Sequence, residues 1–446
     1  MKPLFLTAVL CALLAAPAQT RAQELPAEPL WSLDDCIRCA QQNNIEVRQR
    51  TLSVEQQDVE LSTARYSRLP DLNASVGYNA SFGWGTSADN TRKSETLQTG
   101  SFDIAASMPL FAGLRINRQI QGGKLDLAAA VQDLERAKED VAVNIMTRYL
   151  EVLYCKELVG VAERQLALSS AQAERSQQLV ASGKQPESAL YESKALVAND
   201  RLALTQARNN LRLALVDLSQ ALNRESAEGF DIVTPVLDSV ALASLRRLGS
   251  AESIYDYAVD HRPRIRSEQL RLESTENAVR IARSYLYPSL SLRGGFGTGV
   301  YSSMEAAFGT QLDRNRNEFV GVSMSIPIFN RRATRNNVRT AKLAVRNQQL
   351  ALLNAEQTLR KEIEQAWVNA DAAYAKYCAA EQALASARIA FAYEERKAEA
   401  GRSTVFDFND ARTRMLKAES ELAQARFEFV FRQKILDFYR DEPLTL

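Results

Sequence analysis

Residues 69–84 read LPDLNASVGYNASFGW, and this stretch decides the fold. After Pro70 every even-numbered position is apolar: Leu72, Ala74, Val76, Tyr78, Ala80, Phe82 and Trp84. The odd positions are Asp71, Asn73, Ser75, Gly77, Asn79 and Ser81, with Gly83 last. A period of two over so many residues predicts a long strand with one apolar and one polar face. Pro70 marks its start, because the residue before a proline avoids the helical region. A polar loop, Thr86 to Thr96, follows. Then Phe102, Ile104, Ala106, Met108 and Leu110 alternate with Asp103, Ala105 and Ser107. The spacing predicts two membrane-length strands, about 71–85 and 97–110.

Outward from this pair the period becomes helical. Before it, residues 32–68 read as a helix opened by Ser32. After Pro109-Leu110-Phe111 there is no proline from 114 to 181, and the glycines there are Gly122, Gly123 and Gly160. Apolar residues step by three and four through Leu127, Val131, Leu134, Val141 and Ile145, which is coiled-coil spacing. At 1.5 Å per residue such a helix would run roughly 100 Å. Gly183 suits its C-terminal cap, and Pro186 suits the first turn of a return helix over 186–222.

The whole pattern then recurs 218 residues later. Pro70 falls on Pro288, Pro109 on Pro327, Phe111 on Phe329 and Gly183 on Gly401. A helix is predicted at about 250–286, strands at about 288–301 and 318–328, a long helix at 332–399 and a return helix at 404–439. One offset without gaps implies a duplicated unit, not a short-period solenoid. The predicted organisation is a signal peptide at 1–22, a first repeat at 23–223, a linker at 224–249, a second repeat at 250–440 and a tail at 441–446. The signal is read from Lys2, the apolar run Leu4–Ala16 and the small residues up to Ala22. That run is too short to span a bilayer as a helix.

Composition narrows the function. The 446 residues carry 55 basic and 54 acidic side chains, a balance unlike that of a nucleic-acid binder. The single histidine, His261, lies in Asp260-His261-Arg262-Pro263, where a helix turns, and reads as structural. There is no phosphate loop or nucleophile elbow, so no catalytic residue, cofactor or metal set is expected. Cys36-x-x-Cys39 would put two thiols one helical turn apart. Without further ligands nearby, they read as inert thiols ahead of a redox or metal pair.

Four amphipathic strands cannot close, and open edges are not tolerated in lipid. Three chains would supply about twelve strands, enough to close round a water-filled pore. Tyr78, Trp84, Tyr287 and Tyr301 would then stand in the interfacial aromatic belts. The alternatives are a soluble β-sandwich with a coiled coil, and a non-conducting envelope spacer or adhesin stalk. Neither needs four long strands with a polar inner face.

The order helix, Leu-Pro, strand pair, Pro-Leu-Phe, giant helix, glycine tip and return helix, given twice, resembles the TolC-like outer membrane factor family. The resemblance covers nearly the whole mature chain. It implies a mostly α protein with membrane β-strands: a homotrimer with a twelve-stranded barrel, four strands per chain, continued by a long α-helical periplasmic barrel. It implies a place in the outer membrane of a Gram-negative bacterium. The partners it implies are outer-membrane lipid, a periplasmic adaptor and, through the adaptor, an inner-membrane RND, ABC or MFS pump. Pro70, Pro109, Pro288 and Pro327 would mark the strand–helix transitions. Gly183 and Gly401, with Lys184, Arg402 and Glu192 beside them, would form the tips that dock the adaptor. In the family a Gly-x5-Asp-x2-Asp segment lines the periplasmic entrance, and Asp407 and Asp410 occupy its acidic places after Gly401. At about 6 Å and an effective dielectric near 20, neighbouring carboxylates of a ring would repel by ~3 kcal/mol, favouring cations at the mouth. Thr404-x-x-Asp407 is also a capping box, so Asp407 has a structural reading beside the gating one.

Overall fold

The structure is a computed structural model, and it describes residues 30–86, 92–235, 249–400 and 402–444. The expected signal at 1–22, Gly401 and residues 236–248 of the expected linker lie outside the described residues.

Helices α1 (Leu33–Asn43) and α2 (Ile45–Tyr66) lead into strands β1 (Asp71–Thr86) and β2 (Arg92–Ala112). A helical hairpin follows, α3 (Arg115–Ala181) and α4 (Glu187–Ala221). Next come α5 (Ala251–His261), α6 (Pro263–Ser284), β3 (Ser289–Tyr301), the short α7 (Phe308–Arg314) and β4 (Asn317–Ser325). A second hairpin, α8 (Ala333–Glu399) and α9 (Val405–Tyr439), ends the fold. Helices α3 and α8 each hold 67 residues, so each is about 100 Å long.

Several boundaries differ from the sequence reading. The helix expected at 32–68 is two helices, broken where Asn44 turns extended and its side chain caps Glu46 N–H at 2.8 Å. The helix expected from 250 breaks at Arg262, held extended by Pro263. Strand β2 starts at Arg92, five residues earlier than expected, because it stays paired with β1 to the end of the hairpin. Strand β2 also runs past its expected end at 110 to Ala112, with Pro109 inside it. The register slips between Pro109 and Phe111, so a bulge accommodates a residue with no N–H to give. Strand β4 ends at Ser325, ahead of Pro327. The segment between β3 and β4 folds as α7, held by Gln311. Its amide accepts from Tyr301 N–H at 2.8 Å and donates to the Met304 and Ala306 carbonyls.

The apolar core lies midway along the long helices, not in the sheet. Cys36 and Ala40 of α1 pack with Ile145, Met146, Tyr149 and Leu153 of α3, Leu218 of α4 and Phe429 of α9. Burying each of the larger side chains contributes roughly 1.5–3 kcal/mol. The start of the expected linker joins this core. Phe230 and Ile232 are buried there, Trp31 bridges to Ile232, and the Tyr149 hydroxyl donates to the Val233 carbonyl at 2.7 Å. A second cluster joins Ile254, Ala258 and Ile265 to Leu359, Ile363 and Leu436.

Candidate functional site

The four strands form one antiparallel sheet in the order β1-β2-β3-β4, so β1 and β4 are its edges. Its register keeps the two faces chemically distinct, with exceptions at Glu318 opposite Phe296, Phe319 opposite Gly295 and Gln98 opposite Ala80. Leu72 pairs with Ala106, Ala74 with Ile104, Ile104 with Phe296, and Leu292 with Val322. The opposite face carries Asn73, Ser75, Asp103, Ser101, Ser107 and Arg293. The apolar face has no cover: Trp84 is 74% exposed, Val320 85% and Ile328, just beyond β4, 93%. A soluble single chain does not leave a contiguous apolar surface of this size to water.

At the foot of the sheet the chain turns sharply into each long helix. Gly113 and Leu114 adopt φ +60° and +65°, and Arg331 and Arg332 adopt +52° and +64° at the corresponding turn before α8. A side chain on Gly113 would meet the Ser284 carbonyl oxygen at 2.6 Å and Tyr287 Cβ at 3.0 Å. Across the same junction the Arg115 guanidinium lies 5.1 Å from the Tyr285 ring centroid and donates to the Tyr285 hydroxyl at 3.1 Å.

At the far end the two hairpin tips lie side by side. Gly183 takes φ +71° just after α3, and Lys184 N–H returns to the Leu179 carbonyl at 2.9 Å. Thr404 caps α9. Its oxygen accepts from Asp407 N–H at 3.1 Å, and its hydroxyl donates to Asp407 Oδ2 at 2.6 Å. Asp410 pairs with Arg414 at 2.6 Å, so one of the two expected acids serves the helix cap and the other an ion pair within its own helix. Ser403 donates to Glu394, which also meets Lys397 Nζ at 2.9 Å. The Ser403 hydroxyl, then Lys397, hold the Glu394 carboxyl below its usual pKa. Phe391 and Phe408 pack at 5.5 Å between α8 and α9. A cavity of about 290 Å³ separates the tips, with Lys184 and Gln185 on one side and Ser403, Thr404 and Phe408 on the other. Arg402 and Glu192 are exposed, and Glu192 makes no ion pair among the described residues.

One feature of this end has no signal in the sequence. Arg412 of α9 forms an ion pair with Asp200 of α4 across the two hairpins, with side-chain exposures of only 3% and 4%. Gln165 of α3 donates to the other Asp200 oxygen at 2.5 Å. A separation of 212 residues, on helices that the pattern reads as amphipathic and independent, hides the pairing.

The remaining expectations place simply. His261 stacks on Tyr257 at 4.1 Å, with Nδ1 2.8 Å from that residue's carbonyl, a structural contact at the end of α5. Cys36 is fully buried and unbonded, and burial pushes its thiol up to about 12. No group of metal-ligating side chains occurs among the described residues, and no described helix is long and apolar enough to cross a membrane.

Three comparisons bear on this architecture. The chain is 26% identical over 449 residues to the pyoverdine export outer membrane protein OpmQ of Pseudomonas putida, covering 95% of this chain and 90% of that one. It is 22% identical over 393 residues to the outer membrane efflux protein BepC of Brucella suis, covering 88% and 81%. Its fold superposes on the Campylobacter jejuni CmeC outer membrane channel with a TM-score of 0.76 at 19% identity, covering 92% and 87%. The family model described as outer membrane efflux protein matches residues 36–224 and 254–430, and the chain belongs to that family.

Proposed function

We propose that three copies of this chain close their sheets edge to edge into a barrel of about twelve strands, the exit duct of an export system. Family membership makes the chain an outer-membrane channel component of tripartite efflux or secretion. The observation that carries the trimeric reading is the uncovered four-stranded sheet. Its edges β1 and β4 run in opposite directions, because each of the three pairings between them is antiparallel. A head-to-tail ring of such sheets therefore closes with every pair antiparallel and no parallel seam. The apolar face then meets lipid, and the face with Asp103 and Arg293 lines water.

Below the membrane the hairpins of three chains would complete a periplasmic tunnel. Exposed apolar residues on α2, α4 and α8, among them Leu52, Leu202 and Leu350, offer the faces on which neighbours would pack. In this reading the chain is two copies of one unit, 23–223 and 250–440, joined by 224–249, with a signal at 1–22. The tips around Gly183 and Gly401 dock a periplasmic adaptor, and Asp407 and Asp410 face the entrance. The adaptor links the duct to a pump of the RND, ABC or MFS class, and the pump selects the cargo. The duct itself performs no chemistry.

The test is the mass and conductance of the purified full chain in detergent. A trimer that opens ion-conducting pores in planar bilayers is expected. A monodisperse species that stays soluble without detergent and does not conduct refutes the reading, and a detergent-dependent but silent trimer favours a spacer or stalk.

A further inference from the structure

The junction between sheet and helices concentrates positive charge. Residues 61–70, 113–125, 277–288 and 326–355 hold thirteen of the chain's 55 lysines and arginines and none of its 54 acids. The structure brings these four segments to one level. Arg68 donates to Asn117 at 2.8 Å, Asn277 donates to the Arg118 carbonyl at 2.6 Å, and Arg280 and Arg283 share a groove with Lys342 and Arg346, where Glu276 at the groove's rim is the one acid. With a formal charge of only +1 on the whole chain, this is segregation and not general basicity.

Within this collar lies a pocket of about 430 Å³, lined by Phe111, Leu114, Arg118, Arg280, Arg283 and Tyr287 around Gly113. None of its three guanidinium groups makes a side-chain hydrogen bond or ion pair among the described residues. Such groups are matched to phosphate oxygens by their planar forks. The pocket also continues the apolar face of the sheet. After the bulge at Pro109, Phe111 stands opposite Leu290, which stands opposite Met324. Phe111 and Leu114 are half exposed, and Tyr287 adds an aromatic ring at the same depth.

We propose that this pocket binds the phosphate of an anionic phospholipid in the leaflet facing the helices, with an acyl chain running along Phe111 onto the strands. The proposal rests on the sheet lying in a bilayer. The charge then sets the depth at which the protein sits, since basic side chains next to a membrane surface are drawn to anionic headgroups. A neutral zwitterionic lipid offers the same apolar contact without the net charge.

The test is native mass spectrometry of the full-length protein in non-ionic detergent, titrated with dioleoyl phosphatidylglycerol or dioleoyl phosphatidylcholine. Phosphatidylglycerol is expected to bind at least about tenfold more tightly, an advantage that shrinks with salt. The variant Arg118→Gln/Arg280→Gln/Arg283→Gln should lose that preference while entering liposomes and conducting like the parent. Equal binding of the two lipids, or a preference that survives the triple variant, overturns the proposal. So does a triple variant with altered pore ion selectivity and unchanged lipid preference, which would place the arginines in the lumen. If the parent enters no liposome of either composition, the membrane reading itself fails, and the lipid site with it.

Discussion

Replacing Arg412 with leucine should loosen the periplasmic end without unfolding the protein. Asp200 would keep a buried carboxylate with Gln165 as its remaining partner. Breaking one side of a buried ion pair costs about 3–5 kcal/mol, because a charge is left uncompensated. The hydrogen bond from Gln165 is already present, so it offsets at most about 1–2 kcal/mol of that loss. A net of roughly 3 kcal/mol raises the opening equilibrium of the tip about a hundredfold, at 1.4 kcal/mol per decade. Hydrogen exchange followed by mass spectrometry reads this directly. Peptides spanning 183–200 and 404–412 should exchange about a hundredfold faster, while peptides around Ile145 and Phe429 stay protected. Asp200→Leu/Arg412→Leu should restore most of the protection, since two apolar side chains replace the pair without stranding a charge. Unchanged exchange in Arg412→Leu would refute the reasoning. A double variant as loose as the single one would do the same, because the effect would then come from lost packing and not from a stranded charge.

Three further outcomes follow from the same geometry. Asp407→Asn with Asp410→Asn should raise single-channel conductance and lower cation preference in planar bilayers, and unchanged traces would remove both residues from the entrance. Gly113→Ala should cost about 1–3 kcal/mol in left-handed strain alone, with the Ser284 carbonyl clash added, and should be read as a fall in heat-resistant oligomer on gels. Cys36 should resist iodoacetamide in the folded protein up to about pH 9, while half-exposed Cys39 is alkylated first. The sign follows from the raised pKa: the folded thiol keeps its proton where the unfolded one, near 9.0, loses it. Cys36 therefore adds no pH dependence below about pH 9 and destabilises the fold above it.

The strands were legible because a sheet with lipid on one side and water on the other needs strict alternation, and Leu72 to Trp84 supply it without exception. The long helices were legible from the absence of proline and from apolar steps of three and four. Less visible were features that depend on a partner. Arg92 to Thr96 read as loop from their polarity, yet they pair with β1 and extend the strand beyond the expected limit. Phe319 stands on the polar face opposite Gly295, where alternation alone would not put an aromatic ring. Pro109 read as the strand–helix transition, yet β2 runs on to Ala112, because a bulge that accommodates a proline leaves no mark in a single sequence. At the tip the Thr404–Asp407 cap was legible from its capping-box spacing, but the pairing of Asp410 with Arg414 one turn on was not. The Asp200–Arg412 pair was invisible because two distant helices must first be placed against each other.

The trimeric duct depends most on β1 of one copy lying beside β4 of the next. Within one chain the two edges are separated by β2 and β3, about 14 Å at the usual strand spacing. Ser75→Cys and Ser323→Cys, both on the polar face and introduced with the native cysteines replaced by alanine, would be treated with a bis-maleimide spanning about 8 Å, too short for that gap. Covalent dimers and trimers are expected on denaturing gels, and none from either single-cysteine chain. Monomer alone, in protein that has entered the membrane, would contradict the trimeric duct.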